Sequence, residues 1–402
     1  MTKNNEHKKL NVPNLRFKEF EGEWKEERLA DIADLYKGTG ISKDQLSDDG
    51  EPCILYGELY TKYKSETIRE VLSKTNIDNT KLVRSKANDV IIPCSGETAE
   101  DIATARCVLN GNILLGGDLN IIRLHGYDGA FMSYQLNGRR KYDIAKVAQG
   151  VSVVHLYGEH LKGVKTINPC LEEQKKIAKL LSLLDERIAT QNKIIEDLKK
   201  LKSAIIVEHY RQTEKNEVCV ADLGNHFNVG NLAKDDLSET GKPCIIYGEL
   251  FTTYGEIISQ IESHTNKTEG MILSKKGDLL FPSSTTVDAV SLIAPSVINV
   301  GNVILGGDMF GIHISHNYNA QYLSYYFNHI AKRQLAKFAK GSTIIHLHYA
   351  DIEKAKLLLP SLEEQDRMAK CIMSLDAKIN IENFFISLLN SQKTHLLRQM
   401  FI

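Results

Sequence analysis

Two hydrophobic rhythms alternate along the chain. Over residues 25–167, and again over 217–358, short apolar, β-branched runs are broken by Gly, Pro, Asn and Asp. CILYGEL, DVIIPCS and NILLGGDLNIIRLH belong to the first stretch, DLLFPSS and NVILGGDMFGIHI to the second. Such runs, bounded by turn formers, predict strands. One helical stretch is expected in each, Phe131 to Ala148 and Tyr322 to Ala339. After Pro169 and Pro360 the rhythm changes. LEEQ, acidic in its first turn, is a favourable helix start, and helical spacing then runs to about His209 and to the C-terminal residues. In heptad terms Leu181, Ile188 and Ile195 share one apolar position. Leu184, Leu198 and Ile205 share the other, with polar Gln191 and Lys202 interrupting. The second helix repeats the stripe as Ile372, Leu375, Ile379, Ile386, Leu389 and Leu396, broken by Glu382 and Lys393 at the same heptad positions. A helix of about 40 residues is about 60 Å long. Matching polar interruptions in two such helices favour packing against each other over packing on their own domains.

The repeat extends to the whole chain. PCILYGELYTKY, Pro52 to Tyr63, returns as PCIIYGELFTTY, Pro243 to Tyr254, and GNILLGGDL at Gly111 returns as GNVILGGDM at Gly301. The long run from Val153 is answered by that from Ile344, and Leu29-Ala30-Asp31-Ile32 by Val220-Ala221-Asp222-Leu223. A period near 190 residues is too long for a solenoid; it is a tandem duplication of a domain with its helix. The segments are an N-terminal arm (1–24), a first domain (25–167), a central helix (168–212), a second domain (217–358) and a C-terminal helix (359–402).

Bulk properties add bounds. With 402 residues, two or three domains are expected. The polar N-terminus lacks the apolar core of a signal peptide, and no apolar run is long enough for a bilayer, so the cytoplasm is the default. Seven scattered cysteines without a CxxC predict neither disulfides nor a zinc site. Fifty basic against 51 acidic residues leave nucleic-acid binding open, since positive charge would have to be concentrated on one face or supplied by partners.

The order of domain and helix, repeated, resembles the specificity (S) subunits of Type I restriction–modification systems over nearly the full length. The motifs are Asn168-Pro169-Cys170-Leu171-Glu172-Glu173-Gln174 and Leu359-Pro360-Ser361-Leu362-Glu363-Glu364-Gln365. They are joined by a glycine loop after a basic helix, Gln149-Gly150-Val151-Ser152 and Lys340-Gly341-Ser342-Thr343. The opening VPNLRFKEFEGEWKEERLADI is similar to the arm of members from Gram-positive bacteria such as staphylococci. The resemblance implies an α+β fold: two tandem-duplicated α/β target-recognition domains separated by two long helices packed as an antiparallel coiled coil. It implies double-stranded DNA as ligand, each domain reading half of a split, asymmetric target. Two methyltransferase (M) subunits would methylate adenine N6, and restriction (R) subunits would add ATP-driven cleavage. S-adenosylmethionine, ATP and Mg would belong to those partners, with no cofactor and no membrane contact for this chain.

The residues ask for no chemistry beyond this. There is no GxxxxGK[ST] or GxGxxG, and Asn168-Pro169-Cys170-Leu171 lacks the second proline and the aromatic residue of an adenine methyltransferase loop. The GGD triplets ending at Asp118 and Asp308 read as turns, recurrent His155 and His346 lack partners at metal-ligand spacing, and Cys53 and Cys244 read as core. No catalytic and no metal site is expected. The expected DNA contacts follow apolar strands: Tyr56, Tyr60, Thr61, Lys62 and Tyr63, with Tyr247, Thr252, Thr253 and Tyr254. A second polar loop offers Ser95, Gly96, Glu97 and Thr98, with Ser283, Ser284, Thr285 and Thr286. Phosphate contacts are expected from Arg139, Arg140, Lys141 and Lys146, and from Lys332, Arg333, Lys337 and Lys340, continued by Ser152 and Ser342. Glu58 and Glu249 either accept from cytosine N4 or stay buried in a turn. The shared YGEL motif raises the idea that the two half-sites share bases. The alternatives are a stand-alone duplicated DNA-binding protein and a helical scaffold.

Overall fold

The computed structural model describes residues 10–78, 80–150 and 153–402. It divides into two compact units, one of residues up to Lys193 with Phe384–Ile402, the other Ile194–Asn383.

In the first unit a five-stranded sheet runs in the order Ala33–Lys37, Leu119–Leu124, Asp89–Pro93, Arg106–Val108, Thr67–Ile68. Leu119–Leu124 is antiparallel to both of its neighbours, with Ile122 opposite Leu35 and Val90. A smaller sheet orders Leu114–Leu115, Glu51–Ile54, Ser73–Thr75 and Leu46–Ser47. DVIIP is buried at all five positions because both faces of its strand are covered. Side chains alternate across a strand, so Val90 and Ile92 enter a core shared with Phe131 and Tyr134, while Ile91 enters another with Ile54 and Leu115. The second unit repeats the plan. Its large sheet is ordered Gly224–Asn228, Met309–Ile314, Asp278–Pro282, Ser296–Ile298, Ile257–Ile258, and DLLFP sends Leu279 and Phe281 one way and Leu280 the other. Its smaller sheet gains a fifth strand, Ile272–Leu273, paired antiparallel with Ile304–Gly306.

The single helical stretch expected in each domain is in fact broken. Gly129–Asn137 is followed by Lys141–Val147, and Ala320–His329 by Lys332–Leu335 and a 3₁₀ turn, Ala336–Phe338. The corner closes on wide turns, with the Arg140 amide on the Gln135 carbonyl (3.1 Å) and the Ala331 amide on that of Tyr326 (3.0 Å). Neither corner contains proline, and apolar spacing continues through it from Leu136 to Ile144. Periodicity alone therefore could not show it.

The long helices span Leu171–Gln212 and Leu362–Met400. Every residue expected in their apolar stripes is buried or half-buried. In the first unit Leu181 shares a core with Leu396 and Leu397, and Asp185 meets Lys393. In the second, Lys202 meets Asp376 and His209 meets Glu364. Within each unit the two helical stretches are thus antiparallel. The LEEQ glutamine anchors each helix start. Gln174 Nε2 donates to the Pro169 carbonyl (2.9 Å) while its Oε1 accepts from the Asp128 amide (2.9 Å), and Asp128 caps the Gly129–Asn137 helix. Gln365 makes the same bridge from Pro360 to Asn319, which caps Ala320–His329. Glu173 accepts from Nε and Nη2 of Arg16, each at 2.8 Å.

Two of the polar breaks, Lys202 and Lys393, sit in ion clusters. Lys393 Nζ lies 2.6 Å from Glu66 and 2.6 Å from Asp185, and Lys202 Nζ lies 2.6 Å from Asp376 and 3.1 Å from Glu256. Burial works against the Lys393 ammonium, but its two carboxylates outweigh that and raise its pKa. Burial likewise opposes the Glu256 carboxylate, yet His329 and Lys202 hold it down at about 2.

Two outcomes follow. Gln365→Leu strands a buried amide and carbonyl and should cost about 1–3 kcal/mol, seen as a lower melting temperature. Glu256 is held below the usual carboxylate range, so its contribution is full above about pH 4.5 and fades as pH falls towards 2. That is on the order of 3 kcal/mol. Glu256→Gln should lose stability at neutral pH and show a smaller further drop between pH 5 and pH 3 than the parent, measured by thermal melts.

Candidate nucleic-acid interface

Each unit presents a face built from the same three pieces. In the first, the strand Glu51–Ile54 runs into a one-turn helix, Glu58–Thr61, beside the short pair Ser95–Gly96 and Val154–His155. Tyr60 donates its hydroxyl to the Ser95 carbonyl (3.2 Å), and Ser95 Oγ lies 3.3 Å from His155 Nδ1. A Cβ on Gly96 would come within 3.1 Å of the Tyr60 hydroxyl and 3.3 Å of Ile102, so a larger residue there would push the tyrosine hydroxyl aside. Tyr56, Thr61, Lys62, Glu97 and Thr98 are exposed. Thr98 also caps the next short helix through the Asp101 amide.

In the second unit the face opens into a cavity of about 840 Å³. Of the expected residues, Tyr247, Thr252, Tyr254, Ser284, Thr285, Thr286 and Lys332 line it. Thr253, Arg333, Lys337, Lys340 and Ser342 are exposed but lie outside its lining, and Lys340 is paired with Asp351. The cavity also takes in Phe251, Val287, Asp308, Ile344 and His346, which sequence reasoning did not assign to the interface. Phe251 was detectable as the copy of Tyr60. Val287, 73% exposed, carries no such signal.

Several expected contacts are corrected. Tyr63 and Ser283 are buried, and the Tyr63 hydroxyl accepts from the Leu72 amide; Ser284 is buried too except where it borders the cavity. The hydroxyl of Tyr254, half-buried, accepts from the Glu262 amide. Arg139 and Arg140 stand at the helix corner and donate to the main-chain oxygens of Arg398 (2.9 Å) and Ile402 (3.3 Å). The Arg398 carbonyl is one that the end of the helix Leu362–Met400 leaves free, whereas Ile402 lies past that end. Lys141 is half-buried, Lys146 exposed, and Ser152 lies outside the described residues.

The two YGEL glutamates resolve to the turn. Glu58 accepts from the Leu55 amide (2.9 Å) and from Ser73, and Glu249 from the Ile246 amide (2.9 Å) and Ser263. They hold the framework, so the shared motif bears no information on shared bases. The GGD triplets are turns, with Asp118 at φ +57 and Gly307 at +89. Burial pushes the Cys53, Cys94 and Cys244 thiols up to about 11. Among the described residues no group of His, Cys, Asp and Glu could hold a metal ion.

A duplicated α+β domain, each copy bearing a polar and aromatic face and followed by a long helix, defines the class of protein. Residues 21–200 and 213–389 both match the family described as Type I restriction modification DNA specificity domain, and the chain belongs to that family. It is 24% identical over 398 residues to the Type I restriction enzyme MjaVIII specificity subunit of Methanocaldococcus jannaschii, covering 91% of this chain and 90% of that protein. In fold it is similar to the S subunit of a Type I restriction–modification system from M. genitalium, at a TM-score of 0.63 and 17% identity over 97% of this chain and 99% of the other. A chain solved in work on complex assembly and conformational transition of the type I R-M system gives a TM-score of 0.54 at 15% identity, covering 94% and 97%.

At pH 8 a thiol reagent should modify exposed Cys170 and Cys371 quickly, and Cys53, Cys94, Cys107 and Cys244 only after unfolding. Counting adducts by mass checks this; fast reaction at Cys53 would reopen a nucleophilic role.

Proposed function

We propose that this chain is the DNA-reading part of a Type I restriction–modification complex, each domain reading one half of a bipartite asymmetric target in double-stranded DNA. The observation that carries the reading is the duplication itself: the same polar and aromatic face recurs in both units, while the loops that differ are the exposed ones. The paired helices set the gap between the half-sites and dock two methyltransferase subunits. Exposed apolar side chains on the helices, Leu183, Leu201, Ile381 and Phe384, support docking. The partners methylate adenine N6 with S-adenosylmethionine, and restriction subunits add ATP- and Mg-dependent cleavage. The chain itself contributes no catalytic group and no cofactor, and works in the cytoplasm.

Co-expression with its modification subunit, followed by sequencing that detects N6-methyladenine, should reveal a split motif that vanishes when this chain is omitted. No new methylation from an assembled complex would sink the reading. Thr286→Ala should alter one half of the motif only. Lys332→Ala should weaken binding to all sequences alike and lower the salt slope by about one. Inserting four residues near Lys199 lengthens the helix by about 5–6 Å, so the unspecified gap should grow by about one or two base pairs with both halves unchanged.

A further inference from the structure

We propose that Lys202 and Lys393 are positioning residues whose ammonium groups, buried in one and largely buried in the other, fix the axial register of the paired helices within each unit. The two sites are copies of one another. Lys202 and Lys393 stand at matching places in the repeats, as do Asp185 and Asp376, Tyr134 and Tyr325, and, one residue closer, Glu66 and Glu256. In each site the cation comes from the helix of one repeat and both carboxylates from the other. Asp376 accepts from Lys202 through one oxygen and from the Tyr325 hydroxyl (2.7 Å) through the other, and Lys202 Nζ lies 4.9 Å from the centre of that ring. Asp185 does the same between Lys393 and Tyr134 (2.7 Å), with Lys393 Nζ 5.7 Å from the ring centre. The surroundings differ in detail. Ser65 donates to Asp185, and Arg106 stands near Glu66. Glu256 meets His329 Nε2 (3.0 Å), whose Nδ1 lies 3.2 Å from Ser203 Oγ.

Buried ion pairs are poor stabilisers compared with apolar packing, because desolvation consumes most of their attraction. Their best-attested use is to select one arrangement among several of similar packing. This helix pair needs such a device. A stripe of Leu and Ile repeating every seven residues stays inward-facing when one helix slides by seven. The same slide would carry each ammonium about 10 Å from its carboxylates, leaving a buried cation without an anion and two carboxylates without their cation. The charges therefore penalise the slipped registers that the apolar stripe tolerates. The two sites have kept lysine, aspartate, glutamate and tyrosine while most of the surrounding loop sequence has changed.

The test is a distance measured within the second unit. Nitroxide labels on Ala204→Cys and Ser374→Cys, both exposed, are placed in a chain with Cys170, Cys219 and Cys371 changed to Ser. Pulsed electron paramagnetic resonance should give one narrow distance. Lys202→Met with Lys393→Met should add a second, longer distance or broaden the first. Swapping the charges (Lys202→Glu with Asp376→Lys, Lys393→Glu with Asp185→Lys) should restore the single parental distance. A parental distance in the Met chain would overturn the proposal, because the apolar stripe would then suffice. If the Met chain fails to fold, the swapped chain decides: folded at the parental distance it supports the charge lock, unfolded or displaced it overturns it. The measurement needs no DNA and no partner, so an inactive chain with an intact lock would count against the DNA reading alone.

Discussion

An ammonium group buried between two carboxylates is the interaction on which the rest of each unit leans. It joins three separate pieces of chain, a domain strand end and two helices, at one point. Apolar contacts around it, from Leu181 to Leu396 in one unit and from Ile372 to Ile205 in the other, supply most of the burial. Apolar contacts are not directional and do not choose among equivalent registers. The ion site is directional, and the Asp–Tyr hydrogen bonds beside it extend that direction into the domain helix. A second tie, the LEEQ glutamine, fixes the helix start to the cap of the same domain helix. Between them the domain helix and the long helix are held at two points along their lengths, which leaves the polar face of the domain on a rigid support.

The faces themselves follow from a division of labour within short motifs. In YGEL the glutamate turns inward and secures the turn, while the residues after it are left at the surface. In GGD the backbone bends and the flanking strand returns to the sheet. Tyr56 and Thr61 in one unit, and Tyr247, Thr252 and Thr286 in the other, stay at the surface, with Thr61 and Thr252 donating to the Gly57 and Gly248 carbonyls of their own turns. Arg139 and Arg140 show the opposite case, basic residues drawn into holding main-chain oxygens at and just beyond the end of the C-terminal helix.

The duplication, the strand-rich domains and the two long helices were legible in the sequence because each rests on local pattern. The apolar runs of DVIIP and DLLFP predict buried strands, and the heptad stripes predict the inward face of each helix. The polar breaks at Lys202 and Lys393 were legible as breaks, but not as ion clusters. Their carboxylate partners, Glu66 and Glu256, lie more than 50 residues from the lysines they meet, and nothing local marks the pairing.

What the sequence by itself determined is the repeat, the class of elements and the family. Tertiary structure alone decided which side chains of the candidate faces remain free. Tyr63 and Tyr60 look equivalent in the sequence, yet one is buried under Leu72 and the other leans over Gly96. The helix corner after Leu136, the buried Ser283 and Ser284, and the exposed Val287 belong to the same group. In each case the outcome depends on packing between segments far apart in the chain. Burial is a property of the assembled surroundings, which residue type and spacing bias but do not fix.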